Sequence, residues 1–150
     1  MEMMQGKNFL THLKLIMGDT KFNKDRLKIV DDIGYGDFIL ELRNTLINPS
    51  NPLQYDEWNE YLENNHTWFA RVALYNSNPV GYVGIFNNEI TIAVIPDFQD
   101  RGIGLSLLQD MRKSPAFKKE KTYAKVRPEN IKSLKAFKKA GFKTKYLHLY

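Results

Sequence analysis

The stretch IPDFQDRGIGLSLLQDM, residues 95–111, decides how this chain is read. An apolar run ends at Pro96, a polar loop with two glycines follows, and a helical pattern then begins. Pro96 has no amide proton to give a ladder, so it closes the strand before it. Helix N-termini carry unpaired N–H groups and the positive end of the macrodipole. Glycines let such a backbone approach a phosphate closely, because no Cβ stands in the way. Gln99-Asp100-Arg101-Gly102-Ile103-Gly104 therefore fits a pyrophosphate cradle, although glycines in this position also serve as plain turn residues.

Working outward, WFARVALY, PVGYVGIF and EITIAVI read as three successive strands, with Ser77-Asn78 and Asn87-Asn88 as the turns between them. Further upstream, RLKIV (26–30) reads as a strand and GDFILELRN (36–44) as a short helix. LQYDEWNEYLENN (53–65) places Leu53, Trp58, Tyr61 and Leu62 near one face of an amphipathic helix. INPSNP (47–52) is a linker-like stretch. Downstream, the pattern predicts a helix from about Gly102 to Arg112, a strand TYAKVR, and a helix over 129–140 that Gly141 ends as a C-terminal cap. A final strand, FKTKYLHLY, follows. The fold class is α/β (α+β), with a mixed, mostly antiparallel central sheet and helices on both faces.

The chain of 150 residues fits a single domain, 1–150. Residues 1–25 are an extension without an assigned place; Phe9, Leu10, Leu13, Ile16 and Met17 form a helical stripe best explained by core packing. The sequence has no cysteine, which excludes disulfides, thiolate metal sites and thiol nucleophiles. His12, His66 and His148 lack metal-ligand spacing, so no metal is expected. There is no apolar run of membrane-spanning length, and the N-terminus is too polar for a signal peptide; a cytoplasmic protein is expected. The net charge of +5 is uneven: residues 112–150 carry 13 Lys and Arg against 2 Glu. That basic third suits a polyanion, or is simply a solvated lysine-rich face.

After the TYAKVR strand comes VRPENIKSLKAFKKAGF, residues 126–142. With it the chain resembles the GNAT superfamily of acetyl-CoA-dependent N-acetyltransferases. Gln99-x-x-Gly102-x-Gly104, with V-x-P in register before it, matches that family's Q/R-x-x-G-x-G/A loop. Asn130, Ser133, Phe137, Lys139, Gly141 and Phe142 match its second signature, an Asn-initiated helix ending in K-x-G-F. The resemblance is close over residues 79–142 and extends through strand order back to residue 26. It implies that backbone amides from Gln99, Asp100, Arg101, Gly102, Ile103 and Gly104 hold the CoA pyrophosphate. It also implies that Val94 and Ile95 pair with pantetheine, in a gap where the fourth and fifth strands splay. Asn130 would bond the pantetheine arm, although a helix N-cap is an equally ordinary task for it. Ser133, Phe137 and Lys139 fall on the same cofactor-facing signature.

By the same resemblance Glu89, at the start of the fourth strand, stands where some members keep a general base; a two-residue period puts Thr91 and Ala93 on its face. It could equally be a residue of the hairpin turn. Many members keep a tyrosine acid where this chain has Phe137, which has no proton to give. Tyr123 and Tyr146, in neighbouring strands, are the alternative acids, with Tyr150 close behind. Otherwise the thiolate leaves unassisted, which a thiol pKa near 8.5 tolerates.

The expected function is acetyl transfer from acetyl-CoA to a primary amine of a small molecule such as an amino sugar, polyamine or amino acid. LRN (42–44) and NNHTWF around His66 faintly resemble enzymes that acetylate amino sugars on nucleotides. The alternatives are a protein N-terminal or lysine acetyltransferase and a catalytically silent CoA-binding module. Neither a nucleic-acid nor a membrane partner is expected, since recognition-helix and aromatic-sheet signatures are missing. Only eight residues follow Phe142, enough for one strand. An apolar edge carrying Leu147 and Leu149 invites a partner strand, so a homodimer is expected.

Overall fold

In a computed structural model the described residues are 21–64 and 68–144. Four strands, β1 (Leu27–Asp31), β2 (Phe69–Tyr75), β3 (Asn78–Phe86) and β4 (Glu89–Val94), form an antiparallel sheet in that order. The two hairpins turn on Asn76-Ser77 (φ 48° and 67°) and Asn87-Asn88 (φ 48° and 68°). Left-handed conformation at both positions matches the strands' twist, and asparagine tolerates it better than most residues. The first turn lies one residue before its expected position, because Asn78 already pairs with Tyr75. Leu74 then faces Pro79 while Ala73 faces Gly81, so Val80 is the extra residue of a bulge beside a proline that cannot donate.

Helices cover both faces of the sheet. On one lies α3 (Ile103–Arg112), whose buried Ile103, Leu107, Leu108 and Met111 form one helical stripe. Each fully buried aliphatic side chain of this kind contributes about 1.5–3 kcal/mol. Gly104 lets this helix lie close, since a Cβ there would stand 3.3 Å from Ile92. Arg71 of β2 reaches Asp110 of α3 at 2.8 Å. On the other face sit α1 (Gly36–Leu42), a π-helical turn (Arg43–Ile47) and α2 (Tyr55–Asn64). Trp58 of α2 is buried as its pattern requires, whereas the side chains of Tyr61 and Leu62 lie outside the described set.

The last described helix, α4 (Ile131–Lys139), ends in a Schellman motif. Gly141 takes φ +98°, its N–H bonds Lys138 O at 3.0 Å, and Phe142 N–H reaches Phe137 O at 3.0 Å. The rings of Phe137 and Phe142 meet edge-on at 5.0 Å, the hydrophobic contact that accompanies the motif. Arg112, at the end of α3, bonds Ala140 O and lies over Phe117 and Phe142, locking the two helices together.

Two expected strands differ from expectation or lie beyond view. TYAKVR forms a single parallel bridge, Tyr123 with Glu89, and then leaves the sheet. Its alternation of half-buried Ala124 and Val126 with exposed neighbours is genuine, but no ladder follows among the described residues. Of FKTKYLHLY, residues 145–150 lie outside the described residues, as do 1–20 and with them most of the N-terminal extension. Among the described residues no helix is long and apolar enough to cross a membrane.

Candidate active site

The site begins where β4 loses its outer neighbour. Ile90 N–H donates to Tyr123 O at 2.8 Å, and Tyr123 N–H to Asn88 O at 2.8 Å. Beyond that bridge the two segments part. On a two-residue period, Ile92 and Val94 present their backbone to the same outer edge as Ile90. Their N–H groups meet no acceptor there among the described residues, so the edge is open to an extended ligand with a carbonyl to offer.

Val94 and Ile95, paired in expectation, separate in the structure. Ile95 N–H is bonded to Val80 O and its carbonyl accepts from Phe98 N–H, both at 2.9 Å. Ile95 is thus spent inside the fold, fully buried, and Val94 carries the edge with Ile92. The Gln99 side chain donates to Val94 O at 3.0 Å, which ties the loop to the strand end. The motif glutamine therefore acts here as a brace, leaving the Val94 N–H as the edge donor.

Past a 3-10 turn at Pro96–Phe98, the loop opens toward solvent. Asp100 (φ 63°) and Gly102 (φ 79°) are left-handed, and a Cβ on Gly102 would meet nothing within 4 Å. Gly102 is therefore required by its backbone angle, and the space beside it is clear. The first intrahelical bond runs from Ser106 N–H to Gly102 O at 3.0 Å, so the amides of Ile103, Gly104 and Leu105 have no helical acceptor. With the dipole behind them, these donors can receive an anion. Arg101 folds back over Phe22 and Phe98, its Cζ 5.2 and 5.6 Å from the ring centres.

The second signature comes alongside. Lys132 of α4 pairs with Asp100 at 3.0 Å across an exposed contact. Asn130 Oδ1 accepts the Ser133 N–H at 3.3 Å, the N-cap role, so only its amide side remains for a ligand. Phe137 is a packed ring against Phe142, and Lys139 is exposed in the last helical turn.

On the helical face of β4, opposite α3, a cavity of about 320 Å³ opens between sheet and helices. Glu89 and Thr91 line it from β4, Tyr82 and Phe86 from β3, and Trp68 from the chain entering β2. Arg43 and Ile47 of the π-helical turn, Leu53 and Trp58 complete it. The bridge to Glu89 puts Tyr123 on the same face, with 44% of its surface exposed. Tyr146, the other expected acid, lies outside the described residues, and so does His66. Among the described residues no three His, Asp or Glu side chains gather as a metal site.

The cavity's walls are only partly legible in the sequence, where Leu53 and Trp58 share a helical stripe and Arg43 and Trp68 fall in LRN and NNHTWF. Trp68 lies against Gly84, where a Cβ would come within 2.8 Å of its ring, and its indole N–H is held by Asp32 at 3.2 Å. A glycine inside an otherwise strong strand is the available signal, since it marks a close approach. Arg43 falls in the LRN stretch, but its place at the cavity depends on the π-helical turn, which follows from packing.

A family model for the acetyltransferase (GNAT) family matches residues 37–142. Among solved structures, an aminoglycoside acetyltransferase from an uncultured soil metagenomic sample, in complex with trehalose, superposes with TM-score 0.66 at 18% identity. The match covers 84% of this chain and 95% of that one. Aminoglycoside N-acetyltransferase AAC(6')-Iy, in complex with a bisubstrate CoA analogue, gives 0.63 at 18% identity, covering 83% and 95%. A spermidine N-acetyltransferase SpeG chimera from Vibrio cholerae and hSSAT gives 0.57 at 19%, covering 77% and 80%. No curated protein sequence matches the chain. The chain is a member of the acetyltransferase (GNAT) family, an enzyme of the acetyl-CoA-dependent N-acetyltransferase class.

Proposed function

We propose that this protein transfers the acetyl group of acetyl-CoA to the primary amine of a small molecule held in the cavity beside Glu89. One observation carries the reading: β4 serves two sites at once. Among the described residues its outer edge is open from Ile92 onward and leads to the unpaired amides at the start of α3, while its face supplies Glu89 and Thr91 to the cavity. A volume of about 320 Å³ is at the low end of the range of small-molecule sites, roughly 300–1,000 Å³, which favours a small acceptor over a folded protein.

The residues fit acetyl-CoA, which supplies the acetyl group as a thioester. The Ile92 and Val94 N–H groups donate to the carbonyls of its amide arm, which lies as an added strand, and the amides of Ile103, Gly104 and Leu105 donate to its pyrophosphate. Glu89, directly or through one water, removes the proton that keeps the amine from attacking. The amine nitrogen forms the new bond to the acetyl carbon, the carbon–sulfur bond breaks, and the sulfur leaves as thiolate. Phe137 cannot protonate it; Tyr123, on the face of Glu89, can.

Release of free thiol from acetyl-CoA, measured over a panel of amines, tests the reading. Glu89→Gln should lower kcat by about a hundredfold while acetyl-CoA affinity stays nearly constant. Wild-type turnover in that variant would remove Glu89 from the chemistry. A panel without any thiol release would overturn transfer itself.

A further inference from the structure

The charge and chemistry of the cavity point to an acceptor unlike those named for the structural neighbours. Aminoglycosides and spermidine carry several ammonium groups and call for several carboxylates. Among the described lining residues there is one carboxylate, Glu89, and it is balanced by one guanidinium, Arg43. Helix α2 does carry Asp56, Glu57, Glu60 and Glu63, all exposed. At about 100° per residue, Asp56, Glu60 and Glu63 fall roughly 140–200° around the helix from Trp58, the residue that lines the cavity. These three face away from the acceptor, and Glu57, about 100° round from Trp58, stands on the flank.

What the cavity offers instead is aromatic wall. Trp68 and Phe86 line it half-buried, with the buried rings of Trp58 and Tyr82 packed behind its surface. The two tryptophans stand edge-to-face at 5.6 Å and 86°. Gly84 and Asp32 fix Trp68 in that position. A single ammonium over such rings is attracted by their negative faces, and a flat apolar body stacks on the same surfaces. A second ammonium near Arg43 would meet a like charge at short range and be repelled.

We propose that the acceptor is a primary monoamine carrying an aromatic ring, selected by the Trp68 and Phe86 rings, backed by buried Trp58 and Tyr82, and by the repulsion of Arg43 against polycations. The proposal rests on the acetyltransferase reading, and binding to the wall can be measured apart from turnover. The chain has only two tryptophans, and both line this cavity, so intrinsic fluorescence responds to its occupant, although Trp68 also borders a pocket beside Phe69, Asn88 and Lys118.

Phenylethylamine, spermidine and kanamycin should be titrated against tryptophan fluorescence and assayed for thiol release from acetyl-CoA. The expected result is saturable quenching by phenylethylamine and a kcat/KM at least tenfold above that of either polycation. Arg43→Gln should narrow that ratio by raising turnover of spermidine. A preference below tenfold, or one that favours the polycations, overturns the proposal and leaves acetyl transfer standing. Quenching by phenylethylamine alone, without thiol release from any amine, sustains the cavity's selectivity and overturns acetyl transfer. Failure of phenylethylamine to quench overturns the proposal outright.

Discussion

Glu41 is the residue most at odds with its surroundings. It lies in Phe38-Ile39-Leu40-Glu41-Leu42, five consecutive buried positions of α1, and neither of its carboxyl oxygens has a hydrogen-bond partner among the described residues. Burial pushes its pKa from 4.5 up to about 7, because the charged form loses its hydration. The folded state therefore keeps this proton at pH values where the unfolded chain has released it. The stability that this provides is fully present below about pH 4.5 and is lost as pH rises through about 7. A rise of that size amounts to roughly 3 kcal/mol. Glu41→Gln, which mimics the neutral acid, should therefore be more stable than the parent at pH 8 and close to it at pH 4.5. Urea unfolding at both values checks this, and an equal gap at the two would refute it. In sequence, one Glu among apolar residues reads as the polar side of an amphipathic helix. That all sides of α1 are covered is a property of packing, which no local period encodes.

At the scale of elements, the hairpins and α3 are legible because their causes are local. Paired asparagines set the turns, alternation sets the strands, and Gly102 starts the helix. Gly141 is legible too, but its second duty is not. Beyond its φ of +98°, its missing Cβ makes room for Arg112, which arrives from α3. Gly102 and Gly141 thus separate two effects of one substitution. Alanine at Gly102 meets open space and bears only the backbone strain, about 1–2 kcal/mol. Alanine at Gly141 adds displacement of Arg112 from Ala140 O and from the Phe117 and Phe142 rings. Denaturant titration should show a loss at Gly141→Ala larger than at Gly102→Ala by about 1 kcal/mol or more. Equal losses would mean that the Arg112 clasp carries no weight. TYAKVR misleads for the opposite reason: its alternation is sound, but a ladder needs a partner, and the partner diverges after Tyr123.

For the whole molecule, the site arises from that divergence. The cofactor half is legible in the sequence, since loop, proline and Asn-initiated helix each have a local signature. Which backbone groups remain to bind is not, because it depends on the sheet. Ile95 is spent on Val80 and Gln99 on Val94, while Asn130 caps its own helix. The proposed acceptor half draws on α2, the π-helical turn, β3 and β4, which lie far apart in sequence. Hydrogen exchange at individual backbone amides, without and with saturating CoA, tests the central claim most directly. On CoA addition the amides of Ile92, Val94, Ile103 and Gly104 should slow at least tenfold. The Ile95 amide, already held by Val80, should change little. CoA binding that leaves the β4 edge and the start of α3 exchanging as before would contradict the account.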